Sequence, residues 1–144
     1  MNLRVKNMDS LERFYPVHAQ YFGAAMTEVR DSYKASHWMW FIFPQLRGLG
    51  YSLTAQKYGL VDMDEACRFA ADPTLGKNLR TITMALLEQP ERNAFGIFGH
   101  TDAVKLRSCM TLFELADPKC DLYTSVLEEF FGGSRDEMTL QLLR

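Results

Sequence analysis

The feature that most constrains this chain is an unbroken apolar run from Trp38 to Phe43, which holds both of its tryptophans. Burying this much aromatic surface is strongly favoured, at ~25 cal/mol per Å², and the run is far shorter than the ~20 residues that span a membrane. Its indole N–H groups, and the polar side chains on either side, need hydrogen-bond partners once buried. Those neighbours are Lys34, Ser36, His37, Gln45 and Arg47. The run is therefore predicted to be either the centre of a core or the wall of a pocket.

Helical spacing dominates the rest of the chain. Phe22, Met26 and Val29 lie four and three residues apart, which places them on one face of a helix. No segment shows the clean alternation of a partner strand, so we expect the tryptophan run to be a short buried helix or irregular segment ending before Pro44. The sequence predicts an all-α fold, with a flexible leader over 1–8 and a single compact domain of about seven short helices over 9–144.

Capping and breaking residues predict where the helices begin and end. Asp9 or Ser10 can cap a first helix, which Pro16 then disturbs or ends, and a second helix is predicted over 19–33. Thr101 or Asp102 is expected to begin a later helix. The other predicted helices cover 53–58, 65–71, 78–88, 122–131 and a last stretch from 134 or 135 to 144.

The composition excludes several classes of function. Hydrophobic residues make up 47% and charged residues 24% of the chain, as in soluble globular proteins. With a formal net charge of −2, we expect neither a nucleic-acid partner nor a membrane. The first residues lack the apolar centre of a signal peptide, so a cytoplasmic location is expected. No feature indicates a particular protein partner.

Motifs for metal binding and covalent catalysis are missing from the sequence. Three widely spaced cysteines, Cys67, Cys109 and Cys120, show no paired spacing and are expected to be free thiols. The three histidines lie far apart and form no HExxH motif, so we expect no metal and no cofactor. A GxSxG motif is also missing. Catalytic residues therefore stay unassigned, and whether the protein is an enzyme is left open.

Two polar blocks are candidates for binding. In the first, Lys34 and His37 would meet an anionic or carbonyl group while the tryptophans stack a flat ring; alternatively, His37 and Gln45 satisfy buried backbone groups. In the second, Lys105 and Ser108 share a helix face with Asp102 and could bind a phosphate. Alternatively, Asp102 is an ordinary helix cap and Lys105 an ordinary solvated charge.

The two blocks are expected to meet in the fold. Each lies beside an apolar segment that has to reach the core of a domain whose radius of gyration is only ~15 Å. Two lysines brought together would repel unless an anion or a carboxylate lies between them. The sequence therefore predicts an anion site bounded by Lys34, His37 and Lys105.

Three interpretations of function follow. The first is a small-molecule site for an anionic or nucleotide-like ligand, in its sharpest form an ADP-ribose-type N-glycosidase or binder, by analogy alone. Its ligand-binding residues would be Lys34, Ser36, His37, Trp38, Trp40, Gln45, Lys105 and Ser108. The alternative is a non-enzymatic interaction module that docks a partner through an exposed aromatic patch. In the third interpretation, both polar blocks are simply part of the core.

Several blocks of the sequence also resemble a known family. They include Leu11 to Phe14, the specific block from Ser36 to Ser52, Ile97 to Gly99 and Met110 to Phe113. Together they make the chain similar to the domain-of-unknown-function family numbered 1810, sometimes given the name calpastatin-like, although no protease-inhibitor repeat is present. The resemblance covers nearly the whole chain and implies a small, mostly helical bacterial domain without an established activity.

The chain departs from the family pattern at two places. Tyr15 to His18 is inserted where the family runs directly into Ala-Gln, and Ala35 stands where the family more often has a basic residue. The insertion affects the geometry of the first helix, and Ala35 weakens any basic patch beside His37.

Overall fold

The computed structural model describes residues 10–144, so the leader predicted for 1–8 lies outside the described residues. Within that range the chain forms eight α-helices and no strand. These are α1 Phe14–Arg30, α2 Met39–Ile42, α3 Leu53–Tyr58, α4 Met63–Ala71, α5 Leu75–Glu88, α6 Ala94–Ala116, α7 Leu122–Phe131 and α8 Glu137–Leu142. The prediction of a compact all-α domain is confirmed, and the tryptophan run is a short buried helix, as expected.

The core is built around α6, which packs against α4 and α7, while α5 packs against α1 and α4. Leu106, Met110 and Phe113 of α6 are completely buried. Trp38 and Trp40 belong to the same core, with only 1% and 7% of their surface exposed. The tryptophan run is thus attached to the centre of the domain.

The first helix differs from its prediction. A 3-10 turn, Leu11–Arg13, is capped by the Ser10 hydroxyl, which accepts a hydrogen bond from the Glu12 N–H at 3.1 Å, and α1 follows without a break. Pro16 lies in the first turn of α1, where a backbone N–H has no acceptor within the helix. The expectation that Pro16 disturbs or ends the helix was therefore wrong, and α1 ends at Arg30.

The helix expected to begin at Thr101 or Asp102 is the second part of α6. Helix α6 as a whole begins after Asn93, whose side chain accepts a hydrogen bond from the Gly96 N–H at 3.2 Å. It is interrupted at Gly99, where φ is 79° and ψ is 165°. Glycine adopts this conformation without the penalty that a side chain would add. The segment after Gly99 carries the second polar block.

The three cysteines are free thiols, as predicted, with Cys67 exposed and Cys109 buried. Burial raises the pKa of the Cys109 thiol well above its usual value. In the described part of the chain, no three or more His, Cys, Asp or Glu side chains are grouped to hold a metal. None of the helices between residues 10 and 144 has both the length and the hydropathy to cross a bilayer.

Candidate functional site

The segment that leads into the tryptophan run is held by one carboxylate of α1. Glu28 Oε1 accepts hydrogen bonds from the backbone N–H groups of Ala35 and Ser36, at 2.7 and 2.9 Å, and from the Trp38 indole at 3.0 Å. Glu28 Oε2 accepts from the Ser36 hydroxyl at 2.5 Å. Four donors thus fix the path of the chain before α2.

This arrangement keeps Glu28 ionised. Burial by itself would raise the pKa of Glu28, but the hydrogen bonds from Ser36, Trp38 and two backbone N–H groups outweigh it and lower the pKa to about 2. At neutral pH the segment before α2 therefore donates its hydrogen bonds to an ionised carboxylate.

The two predicted polar blocks meet at Asp102. Its Oδ2 lies 2.7 Å from Lys34 Nζ, and its Oδ1 lies 3.3 Å from Lys105 Nζ. We call these three side chains the lysine cluster. Lys34 Nζ also donates to the Ser36 carbonyl at 2.5 Å, and the Lys34 backbone N–H donates to the Ile97 carbonyl at 2.8 Å. The cluster thus joins the loop before α2 to both parts of α6.

Each lysine of the cluster faces one tryptophan. Lys34 Nζ lies 4.8 Å from the centre of the Trp38 ring, and Lys105 Nζ lies 5.8 Å from that of Trp40. Ammonium groups at these distances are attracted to the negative face of an indole. The tryptophans are thus core residues that also support the cluster.

A cavity of about 150 Å³ opens beside the cluster, and we call it the lysine cavity. Its lining includes Lys34, His37, Trp38, Trp40, Asp102 and Lys105. The side chain of Lys34 is only 5% exposed, whereas that of Lys105 is 28% exposed. Two ammonium groups face one carboxylate here, so the wall of the cavity carries an excess of positive charge.

A second cavity, of about 380 Å³, is also lined by Trp40, and we call it the glutamine cavity. Its lining includes Trp40, Gln45, His100, Lys105, Ser108 and Asp136. The volume of the glutamine cavity lies within the ~300–1,000 Å³ of typical ligand pockets, and the lysine cavity is smaller. Trp40 and Lys105 line both cavities, so the two spaces share a wall.

The backbone of Gln45 is fixed at the wall of the glutamine cavity. Its backbone carbonyl accepts a hydrogen bond from the Leu60 N–H at 2.8 Å, beside an isolated parallel bridge between Leu46 and Leu60. Gln45 is only 2% exposed, yet its Nε2 has no hydrogen-bond acceptor among residues 10–144. The amide donor group therefore binds no backbone carbonyl of these residues.

The turn after the tryptophan run approaches Trp40 closely. A Cβ atom on Gly50 would lie 3.0 Å from Cζ2 of Trp40 and 2.9 Å from Cβ of Ala55. The glycine therefore lets the turn close one edge of the glutamine cavity against the indole.

Seven of the eight predicted ligand-binding residues line one of these cavities. Ser36 lines neither, since its hydroxyl is bound to Glu28. Lys34, His37 and Lys105 do converge on one cavity, but the carboxylate between the two lysines belongs to Asp102. The repulsion that favoured an anion is thus relieved within the chain, and the bound anion stays a prediction.

Sequence reasoning missed two roles. Asp102 was expected to cap a helix and to share a face with Lys105, whereas it pairs with both lysines. Asp136 caps the last helix, because its Oδ2 accepts from the Thr139 N–H and hydroxyl at 2.9 and 2.6 Å. That it also lines the glutamine cavity was not foreseen.

The burial of the tryptophans bears on the alternative function. An interaction module with an aromatic docking patch requires substantially exposed tryptophans. Trp38 and Trp40 are only 1% and 7% exposed, so the exposed tryptophans that this alternative function required are not observed.

Comparisons with known proteins agree with the fold. No curated protein matches the chain significantly. A solved structure, that of a conserved hypothetical protein from Mycobacterium tuberculosis, is similar at a TM-score of 0.91 and 37% sequence identity, over 94% of this chain and 96% of that one. The profile described as "Protein of unknown function (DUF1810)" matches residues 8–143. With nearly its whole length matched, the chain belongs to the family of unknown function numbered 1810.

Proposed function

We propose that the protein binds a small anionic, nucleotide-like ligand across the lysine and glutamine cavities. The observation that carries the proposal is that Lys105 and Trp40, from two distant parts of the sequence, form the wall common to both cavities. An anionic group would lie beside Lys105, and an attached ring would lie in the glutamine cavity.

Lys105 is the cation best placed to meet the anion. Lys34 is more deeply buried, and its ammonium group already binds the Ser36 carbonyl and Asp102. Lys105 is more exposed and, among residues 10–144, has a single ion pair, at 3.3 Å. A phosphate oxygen could therefore bind Lys105 without displacing Asp102 from Lys34, while the exposed His37 lies at the same cavity.

Binding is favoured over catalysis. The carboxylates that face the cavities are already engaged, Asp102 by two lysines and Asp136 by the N–H and hydroxyl of Thr139. A general base needs free access to the proton that it removes. An N-glycosidase is the catalytic version of the same proposal, and ADP-ribose is its most direct probe.

The test is calorimetric titration with ribose 5-phosphate and ADP-ribose, comparing the wild type with Lys105→Met. We expect the substitution to weaken binding about tenfold or more, as for the loss of a hydrogen bond to a charged group.

Lys57→Met is the matched control. Its ammonium group lies 5.3 Å from the Tyr58 ring, a similar contact that lies outside both cavities. The proposal fails if neither compound binds the wild type, or if the two variants bind equally well.

A further inference from the structure

We infer that Gln45 determines the specificity of the glutamine cavity, and that it selects a planar ring in which a carbonyl oxygen stands beside an N–H group. The inference rests on the proposed function and names the ring that accompanies the anionic group. A lactam ring or a ring carboxamide has this pattern.

The donor for the carbonyl oxygen is Gln45 Nε2. Among the described residues this nitrogen has no acceptor, although the side chain is buried and lines the cavity. A buried donor without a partner lowers stability unless a ligand supplies the acceptor. Because Gln45 is only 2% exposed, its side chain has little room to move before a ligand arrives.

The acceptor for the ring N–H is the Ser108 hydroxyl. Ser108 Oγ donates its proton to the Val104 carbonyl at 3.1 Å, so the oxygen faces the same cavity as an acceptor. Asp136 adds a second acceptor to this wall. Donor and acceptors in one cavity match a C=O group next to an N–H group.

The remaining wall suits a flat ring. Trp40 offers an aromatic surface, and Leu49, Val104 and Met138 offer apolar side chains. The carboxylate of Asp136 disfavours an anionic group here, so the anion belongs on the side of Lys105.

Inosine 5′-monophosphate and adenosine 5′-monophosphate form a matched pair of probes. The first carries a carbonyl oxygen beside a ring N–H, and the second carries an amino group beside a bare ring nitrogen, which is the reverse pattern. Calorimetric titration should show at least about tenfold tighter binding of the inosine nucleotide, since a site built to hydrogen-bond rejects the wrong pattern strongly.

Substitutions at Gln45 test its role directly. Gln45→Met should bring the two affinities to within about twofold of each other, and Gln45→Glu should reverse the preference, because a carboxylate accepts where the amide donates. Gln45→Met should not lower the melting temperature of the free protein, since it removes an unpaired donor at similar volume. If Gln45→Met does not fold, Ser108→Ala carries the test, and it should reduce the preference.

Ribose 5-phosphate, which has no ring in the glutamine cavity, separates the two levels of the proposal. If it binds but the wild type does not prefer the inosine nucleotide, or if Gln45→Met keeps that preference, the inference on Gln45 is overturned and the proposed function stands. If neither ribose 5-phosphate nor either nucleotide binds, both are overturned.

Discussion

Two clusters of charged side chains differ in how many of their hydrogen-bonding groups are already paired within the protein. One is the Arg13–Glu65 pair, where the side chains are 3% and 0% exposed. All five guanidinium N–H groups are used, with Glu65 accepting two of them and the carbonyls of Ser10, Lys57 and Gly59 accepting the others. The other is the lysine cluster, which borders two cavities.

The difference lies in what remains for a ligand. Arg13 has no donor left, and its pair fixes the 3-10 turn and α1 to α4. In the lysine cluster, Lys105 is 28% exposed and shares one carboxylate with Lys34. A saturated charge cluster stabilises a fold, whereas an unsaturated one beside a cavity can also bind. The predictions below test this distinction, beginning with the largest effect.

Glu65→Gln should destabilise the protein by roughly 3–5 kcal/mol, because the guanidinium would stay buried without its counter-charge. Chemical denaturation followed by circular dichroism measures the change. Asp64→Asn, which breaks the exposed pair with Arg68, is the control and should have little effect. Equal effects of the two substitutions would show that the buried pair is not special.

Trp40→Ala should destabilise by about 3 kcal/mol, near the lower limit for removal of a large buried aromatic side chain, because two of its neighbours are cavities. Tyr51→Ala, at a side chain that is 90% exposed, is the matched control. A loss below ~1 kcal/mol for Trp40→Ala would place Trp40 outside the core.

Glu28 should make the stability of the fold depend on pH. Its pKa is about 2 in the folded protein and 4.5 in its ordinary state, so its stabilisation is complete above pH 4.5 and is lost as the pH falls toward 2. Because the carboxylate is partly exposed, we expect wild type to lose only about 1 kcal/mol more than Glu28→Gln between pH 7 and pH 3. Urea denaturation at both pH values measures this loss.

Glu88→Gln, at an exposed glutamate, should lose as much stability at low pH as the wild type. The assignment to Glu28 is contradicted if Glu28→Gln does the same.

Asp102→Asn should raise the affinity for ribose 5-phosphate by about 3–10-fold, because it removes the carboxylate that competes with the ligand. Raising the salt concentration should shrink this gain. A lower affinity in the variant would mean that Asp102 mainly positions Lys105, and that the cluster resembles the Arg13–Glu65 pair after all.

The sequence predicted the parts of the fold that depend on local chemistry. The limits predicted for 53–58 and 122–131 are those of α3 and α7, which end before Gly59 and Gly132. Pro16 misled the prediction because the same residue breaks a helix interior and is tolerated in a first turn. Which of the two applies depends on where the helix begins, and that was set by the 3-10 turn before it.

The residues of the site were predictable from the sequence, but the contacts between them were not. Convergence of Lys34, His37 and Lys105 followed from the need to bury the apolar segments beside them. That Asp102 would bridge the lysines, and that Glu28 would take the Ser36 hydroxyl, depended on the relative positions of α1, α2 and α6. Such tertiary geometry leaves no local pattern in the sequence.

The placement of the tryptophans has a consequence for optical spectroscopy. The chain has only two, and both line the lysine cavity, one hydrogen-bonded to a carboxylate and each facing an ammonium group. Indole emission depends on the nearby electric field, and no other tryptophan contributes to it. The intrinsic fluorescence of the unlabelled protein is therefore a signal from the site itself, and a change in charge beside Lys105 will shift its colour or intensity.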